Sequence, residues 1–226
     1  MKNSDTASNG TSNKMVAIIL SGCGNCDGSE LQESLSLMLA FDRRGWSYQC
    51  FAPEGPYNVF DHRTGKPNGE QRDILEEASR IARGKILPLS ALDMKDYDIL
   101  AIPGGMGAAR NLSDYAEKGA AMTVRPDVEQ AILDAYHQHK PIVAVCIAPM
   151  LLAKVLGAQH ITLTLGHTCQ ASQIAEALGA VHQCCEPREC CIDNSNNVYT
   201  APAYMVGTRI SEIFDGSENL VAQLPV

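Results

Sequence analysis

Apolar positions along this chain alternate between short continuous runs and longer stretches with helical spacing. The continuous runs fall at residues 15–20, 48–52, 97–102, 141–145 and 198–201. Runs of this length are typical of strands that a parallel sheet buries on both faces. Helical spacing of apolar residues occurs between them, at residues 31–39, 74–83, 127–139, 149–156 and 171–178. The order of these stretches predicts strands that alternate with helices.

Strands that alternate with helices indicate an α/β sandwich whose central sheet is mainly parallel. Residues 53–73 carry three prolines and three glycines, and they predict an irregular excursion or a hairpin. The chain is expected to close with a helix that contains Tyr204, Met205, Ile210 and Ile213. Residues 1–14 are rich in Ser, Thr and Asn and predict a flexible tail, which leaves residues 15–226 as a single domain.

The composition of the chain excludes several classes of partner. Its 226 residues are 45% hydrophobic and 19% charged, as in an ordinary globular protein. The formal net charge of −8 and the scattered basic residues argue against a nucleic-acid or anionic-membrane partner. No apolar run approaches the roughly 18–20 residues that cross a bilayer. A small ligand is therefore the expected partner.

The nine cysteines are odd in number and irregular in spacing, and no apolar signal segment precedes them. They indicate free thiols in a reducing compartment. Because residues 1–14 also lack the arginines of an organelle transit peptide, we expect a cytoplasmic location. Cys184, Cys185, Cys190 and Cys191 form two adjacent pairs that do not match a structural zinc knuckle, and the second pair also suits a strand, so no metal site is expected.

Residues 140–156, KPIVAVCIAPMLLAKVL, join a β-branched run to a helix with Pro149 in its first turn. Cys146 lies at the corner between the two elements. A cysteine at such a corner stands over the carboxyl end of a strand, and the amides of the following helix favour its thiolate. Cys146 is therefore the candidate nucleophile. The alternative is a buried structural cysteine in an apolar strand.

Two further loops follow predicted parallel strands, at the sheet edge where ligand sites form in such folds. The first loop carries Glu30, which can act as an acid and base if partial burial raises its pKa. The second carries Gly104 and Gly105, and the amides of Gly105 and Ile147 are the expected donors to an oxyanion. The alternatives are that Glu30 only complements a helix dipole and that the glycine pair only forms a turn.

Nucleotide cofactors have little support in the sequence. In the loop SGCGNCDG the third glycine of G-x-G-x-x-G is replaced by Asp27, and no Walker-type phosphate loop is present. No cofactor is therefore expected. His167 follows a predicted strand and is a candidate for the site, with a surface or capping histidine as the alternative. An assisting role for Cys23 also stays open.

These motifs resemble those of the ElbB-like glyoxalases, a family in the superfamily of PfpI-type proteases, the Parkinson's-associated deglycase and class I glutamine amidotransferases. The matching segments are ILSGCG at residues 19–24, DGSE at 27–30, IPGGMGAARNLS at 102–113, VCIAPMLL at 145–152 and TAPAYM at 200–205. The resemblance implies a flavodoxin-like three-layer α/β/α sandwich. It also implies a homodimer and a loose link to isoprenoid metabolism.

The resemblance further implies an activity, the conversion of glyoxal, a small reactive dicarbonyl, to glycolate without a cofactor. Cys146 would be the nucleophile and Glu30 its acid/base partner. The chain lacks the late H-x-E motif of amidotransferases, and it has Ile147 where PfpI-type proteases place a histidine, so neither of those activities is expected. The alternative function is a thiol-based redox sensor or regulatory binding protein of the same fold.

Overall fold

The computed structural model describes residues 13–225, so most of the predicted flexible tail at residues 1–14 lies outside the described residues. The strands of the described chain are β1 (Met15–Ile19), β2 (Ser47–Ala52), β3 (Pro56–Asp61), β4 (Lys66–Asp73), β5 (Ile86–Pro88), β6 (Ile99–Ile102), β7 (Ile142–Val145), β8 (Thr162–Leu163), β9 (Val181–His182), β10 (Cys191–Asp193) and β11 (Val198–Ala201). The α-helices are α1 (Leu31–Arg43), α2 (Ile74–Ile81), α3 (Met106–Arg110), α4 (Tyr115–Lys118), α5 (Pro126–His137), α6 (Pro149–Leu156), α7 (Gln170–Ala177) and α8 (Ile210–Ala222).

Seven of these strands form the central sheet, in the order β10-β11-β7-β6-β1-β2-β5. All neighbours pair in parallel except β10, which runs antiparallel to β11. Every residue of β6, β7 and β11 is buried. Burial on both faces of the sheet accounts for the continuous apolar runs of the sequence. The predicted mainly parallel sheet is confirmed.

Helices cover both faces of this sheet. The crossover from β1 to β2 moves toward one edge of the sheet, and the crossover from β6 to β7 moves toward the other. Since right-handed crossovers in opposite directions lie on opposite faces, α1 and α5 belong to different layers. α8 packs on α1, and α6 packs on α5. The three-layer α/β/α sandwich is confirmed, and its switch point lies between β1 and β6, where ligand sites form in such folds.

Two smaller pairs of strands lie outside the central sheet. β3 and β4 form the hairpin that the proline- and glycine-rich stretch allowed, and β8 pairs in parallel with β9. Cys191 lies in β10 and is buried, in agreement with its interpretation as a small hydrophobe. No helix within residues 13–225 combines the length and the apolar character needed to cross a membrane.

The predicted closing helix is wrong at its start. α8 begins only at Ile210, and Ala203–Met205 forms a separate single turn directly after β11. Ala203 has a left-handed backbone with φ of 44°. A side chain at Gly207 would overlap the carbonyl oxygen of Ala203, so the backbone folds closely on itself between the turn and the helix. The turn therefore stays at the carboxyl end of the sheet.

Candidate active site

The candidate nucleophile, Cys146, lies on a sharp corner directly after β7. Its φ is 60°, in the left-handed region that residues other than glycine seldom adopt. The corner is held by the N–H of Cys146, which donates to the carbonyl of Ala201 at 3.0 Å, and by the N–H of Ala148, which donates to Val145 at 3.1 Å. Such a conformation costs about 1–3 kcal/mol and persists only where the surroundings enforce it, most often at functional sites.

The two predicted amide donors converge on this cysteine. The N–H groups of Gly105 and Ile147 both point at the Cys146 sulfur, and each lowers the pKa of the thiol. Gly105 has φ of 95°, and an added side chain there would overlap the backbone of Gly28 and Glu30. The loop after β6 can therefore approach the cysteine only because it carries glycine. Two amides aimed at one point can stabilise negative charge on the sulfur or on an adjacent oxygen.

The carboxyl group that faces the thiol belongs to Glu33, in the first turn of α1. Its side chain is fully buried. Oε1 accepts a hydrogen bond from the N–H of Tyr204 at 3.2 Å. Oε2 has no well-aligned hydrogen-bond partner within residues 13–225 and faces Cys146. A side chain at Gly104 would strike both Oε2 of Glu33 and Cβ of Cys146, so the two groups flank the same glycine.

Burial controls the protonation of this pair. Burial, followed by the charge of Glu30, raises the pKa of the Glu33 carboxyl to about 7. The pKa of the Cys146 thiol lies well above its usual value, first because of burial and then because Glu33 stands beside it. The sequence predicted the opposite direction for the thiol, because spacing along the chain does not show how deeply the corner is buried. The thiol and the carboxyl group influence each other's pKa, so they titrate as a coupled pair.

Glu30, the predicted acid/base partner, is not the carboxyl group that faces the thiol. It is the N-cap of α1, and its Oε2 accepts the N–H of Glu33 at 2.7 Å. Burial raises the pKa of Glu30, and the amides of the first helical turn oppose that shift. The missed residue carried a signal in the sequence. Glu33 lies one helical turn before Leu37 and two before Phe41, so an acid interrupts the buried apolar stripe of α1.

An open cavity of about 600 Å³ gives access to the pair. Its lining residues are Asn25, Glu30, Gln32, Glu33, Gly105, Met106, Cys146, Ile147, Tyr204 and Met205. All four predicted site residues therefore share one cavity. Sequence reasoning missed the contributions of Tyr204 and Met205, because it assigned them to the closing helix.

The other candidate side chains lie elsewhere. His167 is exposed and contacts Glu186 at 3.2 Å, outside the cavity lining. Cys23 is also absent from the lining and faces a separate cavity beneath the hairpin of β3 and β4. Within residues 13–225, no three His, Cys, Asp or Glu side chains are arranged to hold a metal ion.

The raised pKa of Glu33 has a measurable effect on stability. An unfolded Glu33 titrates near pH 4.5 and the folded one near 7, so the native state binds the extra proton between these values. The free energy of unfolding therefore falls as the pH rises through this window. Relative to Glu33→Gln, the wild type is expected to lose about 3 kcal/mol between pH 4.5 and pH 8. Urea unfolding of both proteins at several pH values measures this difference, and parallel curves would contradict it.

Comparison with known proteins gives close relatives of this chain. A Homo sapiens protein, glutamine amidotransferase-like class 1 domain-containing protein 3, mitochondrial, is 39% identical over 220 residues that cover 92% of this chain and 81% of the relative. The ES1 protein homolog, mitochondrial, of Rattus norvegicus is 37% identical and covers 92% of this chain and 82% of the relative.

Solved structures share the fold. An isoprenoid biosynthesis protein with an amidotransferase-like domain from Ehrlichia chaffeensis is 32% identical, with a TM-score of 0.86 over 92% of this chain and 97% of the other. Glyoxalase III from Candida albicans is 17% identical, with a TM-score of 0.61 over 93% of this chain and 97% of the other, and this likeness concerns the fold alone.

The expectation of a cytoplasmic location is wrong by these comparisons. The human and rat relatives are both named as mitochondrial proteins. The prediction depended on reduced cysteines and on the absence of arginine from residues 1–14. Reduced thiols indicate a reducing compartment without telling which one.

The part of the chain that forms the corner cysteine, the facing carboxyl group and most of the parallel sheet also matches a known family. Residues 27–206, which contain Cys146, Glu33 and both amide donors, match the DJ-1/PfpI family. With this match and the human relative, the chain belongs to the DJ-1/PfpI family.

Proposed function

We propose that this protein is a cofactor-independent glyoxalase of the ElbB-like type, which converts glyoxal to glycolate. Cys146 is the nucleophile, and Glu33 replaces Glu30 as the group that moves protons. One observation carries the proposal. The carboxyl group of Glu33 is fully buried, and its Oε2 faces a thiol on a strained corner beside two convergent amides.

In the first step, the sulfur of Cys146 attacks one aldehyde carbon of glyoxal. A carbon–sulfur bond forms, the carbon–oxygen double bond becomes single, and the product is a hemithioacetal. The N–H groups of Gly105 and Ile147, which point at the sulfur, are close to the new oxyanion. The thiol proton passes to Glu33, whose pKa of about 7 suits both uptake and release at neutral pH. Glu33 then gives this proton to the oxyanion, so the hemithioacetal carries a hydroxyl and Glu33 is again a carboxylate.

In the second step, a proton leaves the carbon bonded to sulfur and returns to the neighbouring carbon through an enediolate. The first carbon is oxidised and the second is reduced, so the electrons balance within the substrate and no external oxidant is consumed. The result is a thioester of glycolate on Cys146. Water then adds to the thioester, releases glycolate and restores the thiol. Glu33 is the group placed to move the proton between the two carbons.

The competing activities need groups that this cavity does not supply. Amidotransferases and PfpI-type proteases both use a histidine beside the nucleophile, and within residues 13–225 the cavity lining includes no histidine. A redox sensor needs an accessible thiolate of low pKa. The thiol of Cys146 is instead buried with a raised pKa, so it reacts only when the Glu33 carboxyl beside it takes the thiol proton, as the proposed addition to a carbonyl requires. Turnover of a carbonyl compound is therefore the function that we favour.

The test is an assay of glycolate from glyoxal, and of lactate from methylglyoxal, with purified protein and no added cofactor. We expect many equivalents of product per protein molecule. A single equivalent, or none, would reject the proposed function. Titration with peroxide followed by intact mass measurement tests the sensor alternative, which requires a sulfinate on Cys146 at low peroxide. The homodimer implied by the resemblance stays a prediction, which light scattering tests.

A further inference from the structure

The charged side chains that line the cavity around Cys146 are all acidic. Its lining carries two carboxyl groups, those of Glu30 and Glu33, and within residues 13–225 no lysine, arginine or histidine side chain joins them. The remaining polar groups of the lining are amides and the hydroxyl of Tyr204. A cavity that binds phosphate or carboxylate groups normally offers a basic side chain to them. This one offers negative charge.

The carboxyl group of Glu30 is the more exposed of the two, and hydrogen bonds hold Glu30 in place. Its Oε2 accepts the N–H of Glu33 at 2.7 Å, and its own N–H donates to the carbonyl of Gly104 at 3.0 Å. The same residue is thus tied to α1 and to the glycine loop that approaches Cys146. Burial raises the pKa of Glu30, and the helix amides limit this rise by stabilising its carboxylate form. The titratable groups facing it are Glu33 and Tyr204, and neither adds positive charge.

The rest of the cavity suits an apolar group. Met106, Ile147 and Met205 provide an apolar wall, and methionine side chains adapt to ligands of different shape. The volume of about 600 Å³ lies in the range of pockets that hold drug-sized molecules. Glyoxal, with four non-hydrogen atoms, occupies a small part of that volume. A larger side group on the carbonyl compound would fill the space against the apolar wall.

We propose that Glu30 is a specificity-determining residue that repels anionic carbonyl compounds, and that the preferred substrates are uncharged 2-oxoaldehydes with an apolar side group. The substrate class rests on the proposed function. The exclusion of anions by Glu30 depends only on the cavity, so it is tested separately. An anion that reaches Cys146 passes the fixed carboxylate of Glu30 in a partly desolvated space, where like charges repel strongly.

Two alkylating reagents of nearly equal size test the exclusion of anions by Glu30, which we call the charge filter. Iodoacetamide is neutral and iodoacetate is anionic, and both alkylate a thiolate with loss of iodide. Site-resolved mass spectrometry gives the rate at Cys146 with each reagent, and the rate ratio is divided by that of N-acetylcysteine amide. Because both reagents attack the same thiolate, a change in the thiol pKa cancels from the ratio. We expect wild type to favour iodoacetamide by about 30-fold or more.

The variants assign this preference to one residue. Glu30→Gln is expected to lower the ratio about tenfold, and Glu30→Asp, which keeps the charge and a good N-cap, is expected to retain most of it. Glu129→Gln, on an exposed position of α5, changes the net charge equally and should leave the ratio as in wild type. A wild-type ratio near one, or an equal ratio in wild type and Glu30→Gln, would overturn the charge filter.

Assays of substrate turnover test the proposed function separately from the charge filter. Wild type is expected to convert phenylglyoxal at least tenfold more efficiently than 4-carboxyphenylglyoxal, and Glu30→Gln should narrow this gap. If no 2-oxoaldehyde is turned over while the alkylation ratio behaves as expected, the proposed function fails and the charge filter stands. Equal efficiency for the two aryl compounds would reject the substrate class.

Discussion

Replacement of Cys146 by serine is expected to reduce glycolate formation by about a thousandfold or more. An alcohol is a far weaker nucleophile than a thiol, and no histidine among residues 13–225 lines the cavity to activate it. The hemithioacetal and the thioester both need the sulfur. Steady-state assays with glyoxal measure the loss.

Cys23→Ala is the matched control for this substitution. Cys23 lies in the glycine-punctuated loop after β1 but faces a different cavity, beneath the hairpin. Its variant is expected to keep activity within about threefold of wild type. Glycolate formation by Cys146→Ser at the wild-type rate would contradict the covalent mechanism. If Cys23→Ala lost as much activity as Cys146→Ser, the reactive thiol would instead be Cys23, in the loop after β1.

Glu33→Gln is expected to lower kcat by about 100-fold to 10,000-fold. Glutamine keeps the size of the side chain and can still accept the N–H of Tyr204, so the cavity should keep its shape. It cannot carry a proton from one substrate carbon to the next. Because the variant removes a buried acid, we expect it to be at least as stable as wild type at pH 8, which makes misfolding a poor explanation of the loss.

Glu30→Gln distinguishes the two carboxyl groups in this reaction. Since Glu30 caps α1 and does not face the thiol, its variant is expected to lose much less activity with glyoxal than Glu33→Gln does. Assays of both variants over pH 5–9 make the comparison. A larger loss in Glu30→Gln than in Glu33→Gln would show that the original assignment from the sequence was right and that the geometric one is not.

Much of the architecture followed from local patterns. Continuous apolar runs located the central strands, and β11 matched residues 198–201 without a shift. The corner at Cys146 followed from a β-branched run that meets Pro149 at a helix start. These features depend on neighbours in sequence, so the sequence alone carries them.

The misjudged parts of the site depend on contacts between distant segments. Which of two glutamates one turn apart faces Cys146 is decided by how α1 lies on the sheet. The position of Tyr204 depends on the left-handed Ala203 and on close packing at Gly207. The direction of the thiol pKa depends on burial, which outweighs the amides of Gly105 and Ile147. Tertiary packing overrides local preference at such places, and these are often functional.

The central claim is that Cys146 and Glu33 share a proton. The most direct measurement is the rate of alkylation of Cys146 by iodoacetamide as a function of pH, resolved by peptide mass spectrometry, in wild type and in Glu33→Gln. The wild-type rate is predicted to rise in a step near pH 7, where the pair loses its first proton, and this step should be absent from Glu33→Gln. Identical profiles in the two proteins would contradict the pairing of thiol and carboxyl.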